Sequence, residues 1–249
     1  MKQLKLLWIC IFILNCSSKK SLDCLQTAGD IIQVSYELED FSKITVFERT
    51  QLIISEGPKS VVLESGENLN NDISVTVANG ELIIENGNAC NLVRDYGITK
   101  IYVSTPTLTE IRNSSGLAVQ SEGALGFPNL TLRSEDLEEE DAFHTNGDFI
   151  LDLDVANLTI IQNNLSNFFL TGNVTNLNLD FIFGDARFEG RELTVQNAEI
   201  YHRGTNNIYL NAQQSVVGQL LSTGNLILTN TPPIIDVEVL YTGQLIIED

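Results

Sequence analysis

Basic residues, prolines and sulfur-containing residues are scarce in this sequence. It holds 14 Lys and Arg against 33 Asp and Glu, which gives a formal net charge of −19. So acidic a surface repels phosphate groups, which argues against direct binding to nucleic acid. Only 5 prolines, 1 Met and 1 Trp are present. The abundant Val, Ile, Leu, Asn, Thr and Gly are typical of strands and turns, so almost nothing is expected to be helical.

The usual catalytic and metal-binding motifs are also missing. His144 and His202 are the only 2 histidines, and neither lies at metal-ligand spacing from another His or Cys. The sequence contains no Cys-x-x-Cys pair, Gly-x-Ser-x-Gly elbow, phosphate loop or His-Glu-x-x-His helix. These absences predict a protein that is not an enzyme and has no cofactor.

An acidic run over residues 135–141 is a candidate binding site for one metal ion, Ca²⁺. With Asp148, Asp152 and Asp154 it offers the hard oxygen ligands that Ca²⁺ prefers. The known calcium-loop and calcium-repeat patterns are absent, however, so a solvated acidic loop is the simpler interpretation. Asp152 and Asp154 alternate with leucines, which predicts that both face outward from one strand.

The N-terminal residues 1–16 have the pattern of a lipoprotein signal peptide. Lys2 and Lys5 precede an apolar run over residues 6–14, which is too short to span a bilayer. The run ends at Cys16 in a sequence that resembles a bacterial lipobox, so Cys16 is the expected acylation site, followed by a polar tether over 17–24. This predicts a membrane anchor and an outer-membrane lipoprotein, with the surface or periplasmic face left open. The alternatives are cleavage by the ordinary signal peptidase and an uncleaved membrane anchor.

Two cysteines remain in the mature chain, Cys24 and Cys90. An even count after an export signal favours a disulfide. Closing so long a loop would stabilise the fold by roughly 4 kcal/mol. Two unrelated buried thiols are the alternative.

Short alternating motifs return along residues 25–249, which we interpret as one domain. Asn-Leu-x-Leu or a close variant occurs at Asn129, Asn157, Asn176 and Asn225, and equivalent segments recur roughly every 18 to 20 residues. The pattern predicts an all-β fold, a right-handed single-stranded β-solenoid similar to a parallel β-helix. Asn79-Gly80 between two alternating runs is a hairpin signal, so some antiparallel pairing is expected in the N-terminal half. The asparagines at 129, 157 and 176 are expected to stack as a hydrogen-bonded ladder.

Three segments resemble a known family. They are Phe41-Ser-Lys-Ile-Thr-Val46, Gly80-Glu-Leu-Ile-Ile84, and Val103, Pro106, Leu108 and Ile111 ahead of Asn113-Ser-Ser-Gly116. Together they are similar to the head GIN domain of auto-transporter adhesins, a family found largely on lipoproteins of Bacteroidota. The resemblance spans roughly residues 41–230 and implies a β-solenoid with an adhesive role. It brings no catalytic residues, and Asn113-Ser-Ser-Gly116 has less glycine than the family pattern.

Exposed aromatics are the candidate contacts for a glycan or protein ligand. Alternation can bury only one of Phe168 and Phe169, so the other is expected to face outward. Tyr201 and Tyr209 are expected to face outward in the same way. A ring packed beneath a loop is the alternative in each case.

Two other functional classes stay open. One is a carbohydrate-active parallel β-helix enzyme, a lyase or hydrolase, which would require arginines such as Arg187, Arg191 and Arg203 beside Asp180 and Asp185. The other is a purely structural envelope spacer. The oligomeric state is not determined by the sequence.

Overall fold

The computed structural model describes residues 24–138, 140 and 142–248. The predicted signal peptide, Cys16 and all of the tether except Cys24 lie outside the described residues. Across the residues described, the fold is all-β: a single 17-stranded sheet and one short 3-10 turn, Asn70–Asp72. The strands are β1 (Ile31–Ser35), β2 (Lys43–Val46), β3 (Gln51–Glu56), β4 (Ser60–Gly66), β5 (Ile73–Ala78), β6 (Glu81–Asn86), β7 (Lys100–Thr105), β8 (Glu110–Asn113), β9 (Val119–Leu125), β10 (Asn129–Ser134), β11 (Phe149–Gln162), β12 (Phe168–Phe181), β13 (Phe188–His202), β14 (Ile208–Leu220), β15 (Leu226–Leu228), β16 (Ile234–Val239) and β17 (Leu245–Ile247).

Most strands pair in parallel, and the sheet is open and strongly curled. In the C-terminal half each long strand pairs with the next along the chain, so that Phe149, Phe168, Phe188 and Ile208 lie side by side. The predicted all-β class is therefore confirmed. Among the described residues no helix has the length and apolar character that a membrane span requires.

Alternation along the long strands builds the core. In β11 the odd-numbered residues from Phe149 to Val155 are buried, and the phase slips at Ala156 and Asn157, which are both exposed. That slip turns the strand at a corner, so its two halves line different walls of one core. Phe149 and Phe168 stack inside with ring centroids 4.9 Å apart. Burying each such ring contributes about 1.5–3 kcal/mol.

The N-terminal half contains the expected antiparallel pairs. Strand β4 pairs antiparallel with β1 and β7, and β5 pairs antiparallel with β6. Asn79 and Gly80 join β5 to β6 with φ of 52° and 76°, the two positive values that a type I′ turn requires. The hairpin prediction is confirmed.

A disulfide joins Cys24 to Cys90, whose Cα atoms are 4.5 Å apart. Around it, the backbone N–H of Leu92 donates to the Cys24 carbonyl at 3.1 Å, and Arg94 donates to the Gln26 carbonyl at 3.2 Å. These contacts tie the start of the described chain to the loop after β6.

An asparagine ladder follows one corner of the curled sheet. Asn157 donates to Asn129 at 2.9 Å, Asn176 donates to Asn157 at 2.9 Å, and Asn197 donates to Asn176 at 3.2 Å. The predicted stacking is thus confirmed and extended, because the hydroxyl of Ser215 continues it by donating to Asn197 at 2.8 Å.

Asn225 does not belong to this ladder, although its motif looks equivalent. Its side chain donates to Asn207 at 3.1 Å and its Oδ1 accepts from the N–H of Gln244 at 2.9 Å. Leu226 next to it pairs with Ile208. The same Asn-Leu-x-Leu pattern therefore occurs at two different corners. The prediction that the motif at Asn225 is equivalent to the motif at Asn129 is wrong.

Candidate ligand-binding groove

The outward faces of β11 and β12 form an apolar patch. Ile150 and Phe169 are paired neighbours on the two strands, and their exposed fractions are 44% and 38%. Phe168 is fully buried, as alternation requires for one of the two phenylalanines. Phe168 is therefore not available to a ligand, and contact between Phe169 and a ligand stays a prediction.

Two β-bulges, one in β9 and one in β13, lie on either side of this patch. In β9 the register shifts so that Gln120 and Ala124 lie opposite Ile150 and Asp152. In β13 it shifts so that Glu189 and Leu193 lie opposite Phe169 and Gly172. A bulge bends its strand and re-aims side chains. The extra residues therefore form the two rims of a groove.

The resulting groove has a volume of about 430 Å³, within the range of known ligand sites. Its floor is Ile150 and Phe169, and its polar lining includes Ser121, Asp152, Arg191 and Glu192. The hydroxyl oxygen of Ser121 accepts a 2.9 Å hydrogen bond from the backbone N–H of Asp152. The groove thus combines an apolar floor with polar groups on both rims.

Ionic contacts hold the β13 rim in place. Arg191 bonds Glu189 at 2.7 Å and Glu248 at 3.1 Å, and Arg187 also pairs with Glu189. Burial alone would raise the pKa of Glu189, but the bonds from the two arginines outweigh it and hold that pKa below its usual value. The guanidinium carbons of Arg191 and Arg187 lie 3.6 Å and 4.5 Å from the centre of the Tyr209 ring. The Tyr209 ring therefore makes cation–π contacts with two arginines of the same chain.

The predicted contact residue Tyr201 lies elsewhere. It is half-buried and aligned with Asp180 on one neighbouring strand and Gln219 on the other. Burial raises the pKa of Asp180, helped by the charge of Glu199 and opposed by a bond from Asn178. The structure thus brings Phe169 and Tyr209 to the same sheet face and places Tyr201 on another.

Arg187, Arg191 and Asp185, which the enzyme alternative needs close together, each have partners of their own. Arg187 and Arg191 are engaged with Glu189, while the carboxylate of Asp185 accepts a 2.6 Å bond from the hydroxyl of Thr205.

The acidic run is only partly solvated. Glu135 is buried and accepts bonds from Arg112 at 3.1 Å and Arg133 at 2.8 Å. Desolvation would raise its pKa, but the bonds from Arg133 and from the N–H of Leu137, together with the charge of Arg112, hold it below its usual value. Within residues 24–138, 140 and 142–248 no group of 3 or more His, Cys, Asp and Glu could hold a metal ion. Asp152 and Asp154 are exposed, as predicted.

The histidines also have separate surroundings. His144 is exposed and its Nε2 lies 2.9 Å from Glu48. His202 is fully buried, and desolvation lowers its pKa to about 4.

Of the groove residues, the sequence predicted only Phe169 as a ligand contact, and it did not indicate that residues such as Ser121, Ile150, Arg191 and Glu192 belong to the same site. A usable signal was present, because Gly123 and Gly190 interrupt strand patterns, and an isolated glycine in a strand often marks a bulge. Which bulges would face each other could not be seen without the strand register.

Several solved structures share this fold. A crystal structure of a putative adhesin from Bacteroides fragilis NCTC 9343 has a TM-score of 0.76 and 17% identity, covering 90% of this chain and 100% of that one. A putative adhesin from Parabacteroides merdae ATCC 43184 has a TM-score of 0.62 and 13% identity, covering 89% and 97%. A putative lipid binding protein from Parabacteroides distasonis ATCC 8503 has a TM-score of 0.57 and 14% identity, covering 88% and 97%.

No curated protein matches the chain. Residues 40–232 match the family described as "Putative auto-transporter adhesin, head GIN domain". This is most of the chain, and it confirms the resemblance seen in the short N-terminal motifs. The chain belongs to the head GIN domain family.

Proposed function

We propose that this protein is a lipid-anchored cell-envelope β-solenoid that binds a ligand in an adhesive role and does not catalyse a reaction. In this proposal the curled sheet winds as successive coils, each pairing with the next. The anchor is the acylated Cys16, and the protein resides in the outer membrane.

One observation carries the binding role. The exposed Ile150 and Phe169 lie between two bulged rims on a strand framework that pairs continuously on both sides. Exposing apolar side chains at the floor of a shaped groove is the usual property of a binding site. Strands also hold such a site more precisely than loops do.

Display of the groove away from the membrane is supported by the parallel pairing of the strands. Parallel strands stacked about 4.8 Å apart extend the core along one axis. Such a body carries the groove away from a tether at its N-terminal end. The family membership and the fold shared with Bacteroidota adhesins support an envelope location.

The test uses intact cells that express the full chain. Protease shaving followed by mass spectrometry is expected to release peptides from residues 129–248, with a periplasmic protein as the leakage control. Cys16→Ala is expected to abolish incorporation of a fatty-acid label. Shaved fractions without these peptides, from cells whose membranes retain the protein, would instead indicate a periplasm-facing role.

Adhesion is then compared on immobilised host-matrix proteins and glycans. The double variant Ile150→Ser and Phe169→Ser should lose the binding shown by wild-type cells. Phe183→Ser is the matched control, because Phe183 is 45% exposed in the turn before β13 and does not line the groove. Equal adhesion by the groove variant and wild type would refute the groove as the binding site.

A further inference from the structure

We propose that the groove binds an extended polypeptide segment that presents lysine or arginine side chains, so that the partner is a basic protein surface. This inference rests on the proposed function and names its ligand. It follows from the charges of the groove, its apolar floor and its width.

The groove holds acidic groups that the protein does not neutralise. Glu189 is paired with both Arg187 and Arg191, so these positive charges are already engaged. Asp152 accepts a single 3.4 Å bond from the hydroxyl of Thr171, and neither Asp152 nor Glu192 is ion-paired with another described residue. The uncompensated charge of the groove is therefore negative.

That charge decides between ligand classes. A purely apolar ligand would strip water from two unpaired carboxylates, and removing a charge from water without a partner is costly. An anionic ligand would be repelled both by the groove and by a chain of net charge −19. A cationic ligand gains from both.

Lysine and arginine also fit the floor. Their aliphatic stems cover apolar surface while the charged head remains polar. A stem lying across Ile150 and Phe169 would bring the head towards Asp152 and Glu192, which line the same groove. The exposed ring of Phe169 adds the attraction of a π-face for a cation.

The width of the groove selects an extended segment. The rims are on β9 and β13, which are separated by β11 and β12. Three strand spacings of about 4.8 Å place them about 14 Å apart, enough for one extended chain. In such a chain every second side chain faces the floor.

The experiment is a fluorescence anisotropy titration of the full chain in detergent. The probe is a labelled peptide of alternating serine and lysine, with its fully lysine-acetylated form as the comparison. We expect the lysine peptide to bind and the acetylated peptide to bind at least about tenfold more weakly, with affinity falling as NaCl rises.

Paired variants separate the groove from general acidity. Asp152→Asn with Glu192→Gln should weaken binding about tenfold and flatten its salt dependence. Asp236→Asn with Glu238→Gln removes the same charge from β16, outside the groove, and should weaken binding by less than about twofold. Far-UV circular dichroism checks that both variants remain folded.

Two results would overturn the inference: equal weakening by the two variant pairs, or equal binding of the acetylated peptide. If adhesion of cells still depends on Ile150 and Phe169 while the lysine peptide does not bind, only the ligand class is wrong, and binding of neutral glycans on an array would identify the alternative. If adhesion does not depend on these residues, the proposed function itself fails.

Discussion

At the scale of single residues, buried side chains close the corners of the sheet by accepting backbone N–H groups. Oε1 of Gln162 accepts from Asn164 at 2.8 Å, and Nδ1 of His202 accepts from Gly204 at 3.4 Å. Each acceptor thus serves the residue two positions ahead. Nε2 of His202 lies 2.9 Å from the carbonyl of Asn206, so this nitrogen must carry the proton and the ring is neutral.

A neutral buried histidine makes stability depend on pH. Its pKa is about 4 in the folded protein, below the ordinary value near 6.5, so the unfolded chain binds a proton first as the pH falls. Stability from this site is present above pH 6.5 and decreases progressively towards pH 4, by on the order of 3 kcal/mol. His202→Gln keeps a donor and an acceptor and should flatten this slope in urea unfolding at pH 4.5 and 7.5. An unchanged slope would show that His202 is not responsible.

Two glycines with positive φ provide a matched test of crowding. A Cβ on Gly172 (φ +100°) would lie 2.1 Å from the carbonyl oxygen of Leu153, whereas one on Gly80 (φ +76°) would meet nothing within 4 Å. Gly172→Ala should therefore lower the free energy of unfolding by about 2–4 kcal/mol, and Gly80→Ala by about 1 kcal/mol. Chemical denaturation measures both. Equal losses would mean that backbone conformation alone sets the cost.

At the scale of elements, the asparagine ladder joins successive strands through exposed side chains. Asn176 takes part in two of its bonds, to Asn157 and from Asn197, whereas Ser215 at the end makes one. At about 0.5–1 kcal/mol per exposed bond, Asn176→Ala should cost about 1–2 kcal/mol and Ser215→Ala about half of that. Asn173→Ala, at an exposed position of the same strand, is the control. A loss at Ser215 that matches the loss at Asn176 would argue against a ladder effect.

Local signals predicted elements well and the groove poorly. Alternation distinguished Phe168 from Phe169, and Asn79-Gly80 fixed a hairpin, because both effects act between adjacent residues. The prediction at Asn225 is wrong because the same short motif is compatible with two different corners of the sheet. The groove needs Ser121 and Glu192 on opposite rims, which depends on strand register and on bulges that shift it. Strand register and bulges are set by packing between strands that are distant in the sequence.

At the scale of the whole molecule, the disulfide connects distant parts of the N-terminal half. It spans a sequence separation of 66 residues, so in the chain-entropy account it stabilises the fold by about 4 kcal/mol. The double variant Cys24→Ala and Cys90→Ala should lose about that much in chemical unfolding. Adding reductant to the variant should change nothing further. A loss well below 1 kcal/mol would show that the unfolded chain is not much restricted by the bond.

The C-terminal strands and the middle of the sheet should differ in local stability. Strand β12 is paired on both sides, with β11 and β13, whereas among the described residues β16 pairs only with β14 and β17 only with β15. Val239 and Ile247 at this end are 45% and 42% exposed, so less apolar area holds the last strands. Contacts in such a stack act mainly between neighbours, and the end strands can open without the middle. Hydrogen exchange with mass spectrometry should therefore show fast exchange in β16 and β17 and slow exchange in β11 to β13. Uniform protection would mean instead that the sheet opens as one cooperative unit.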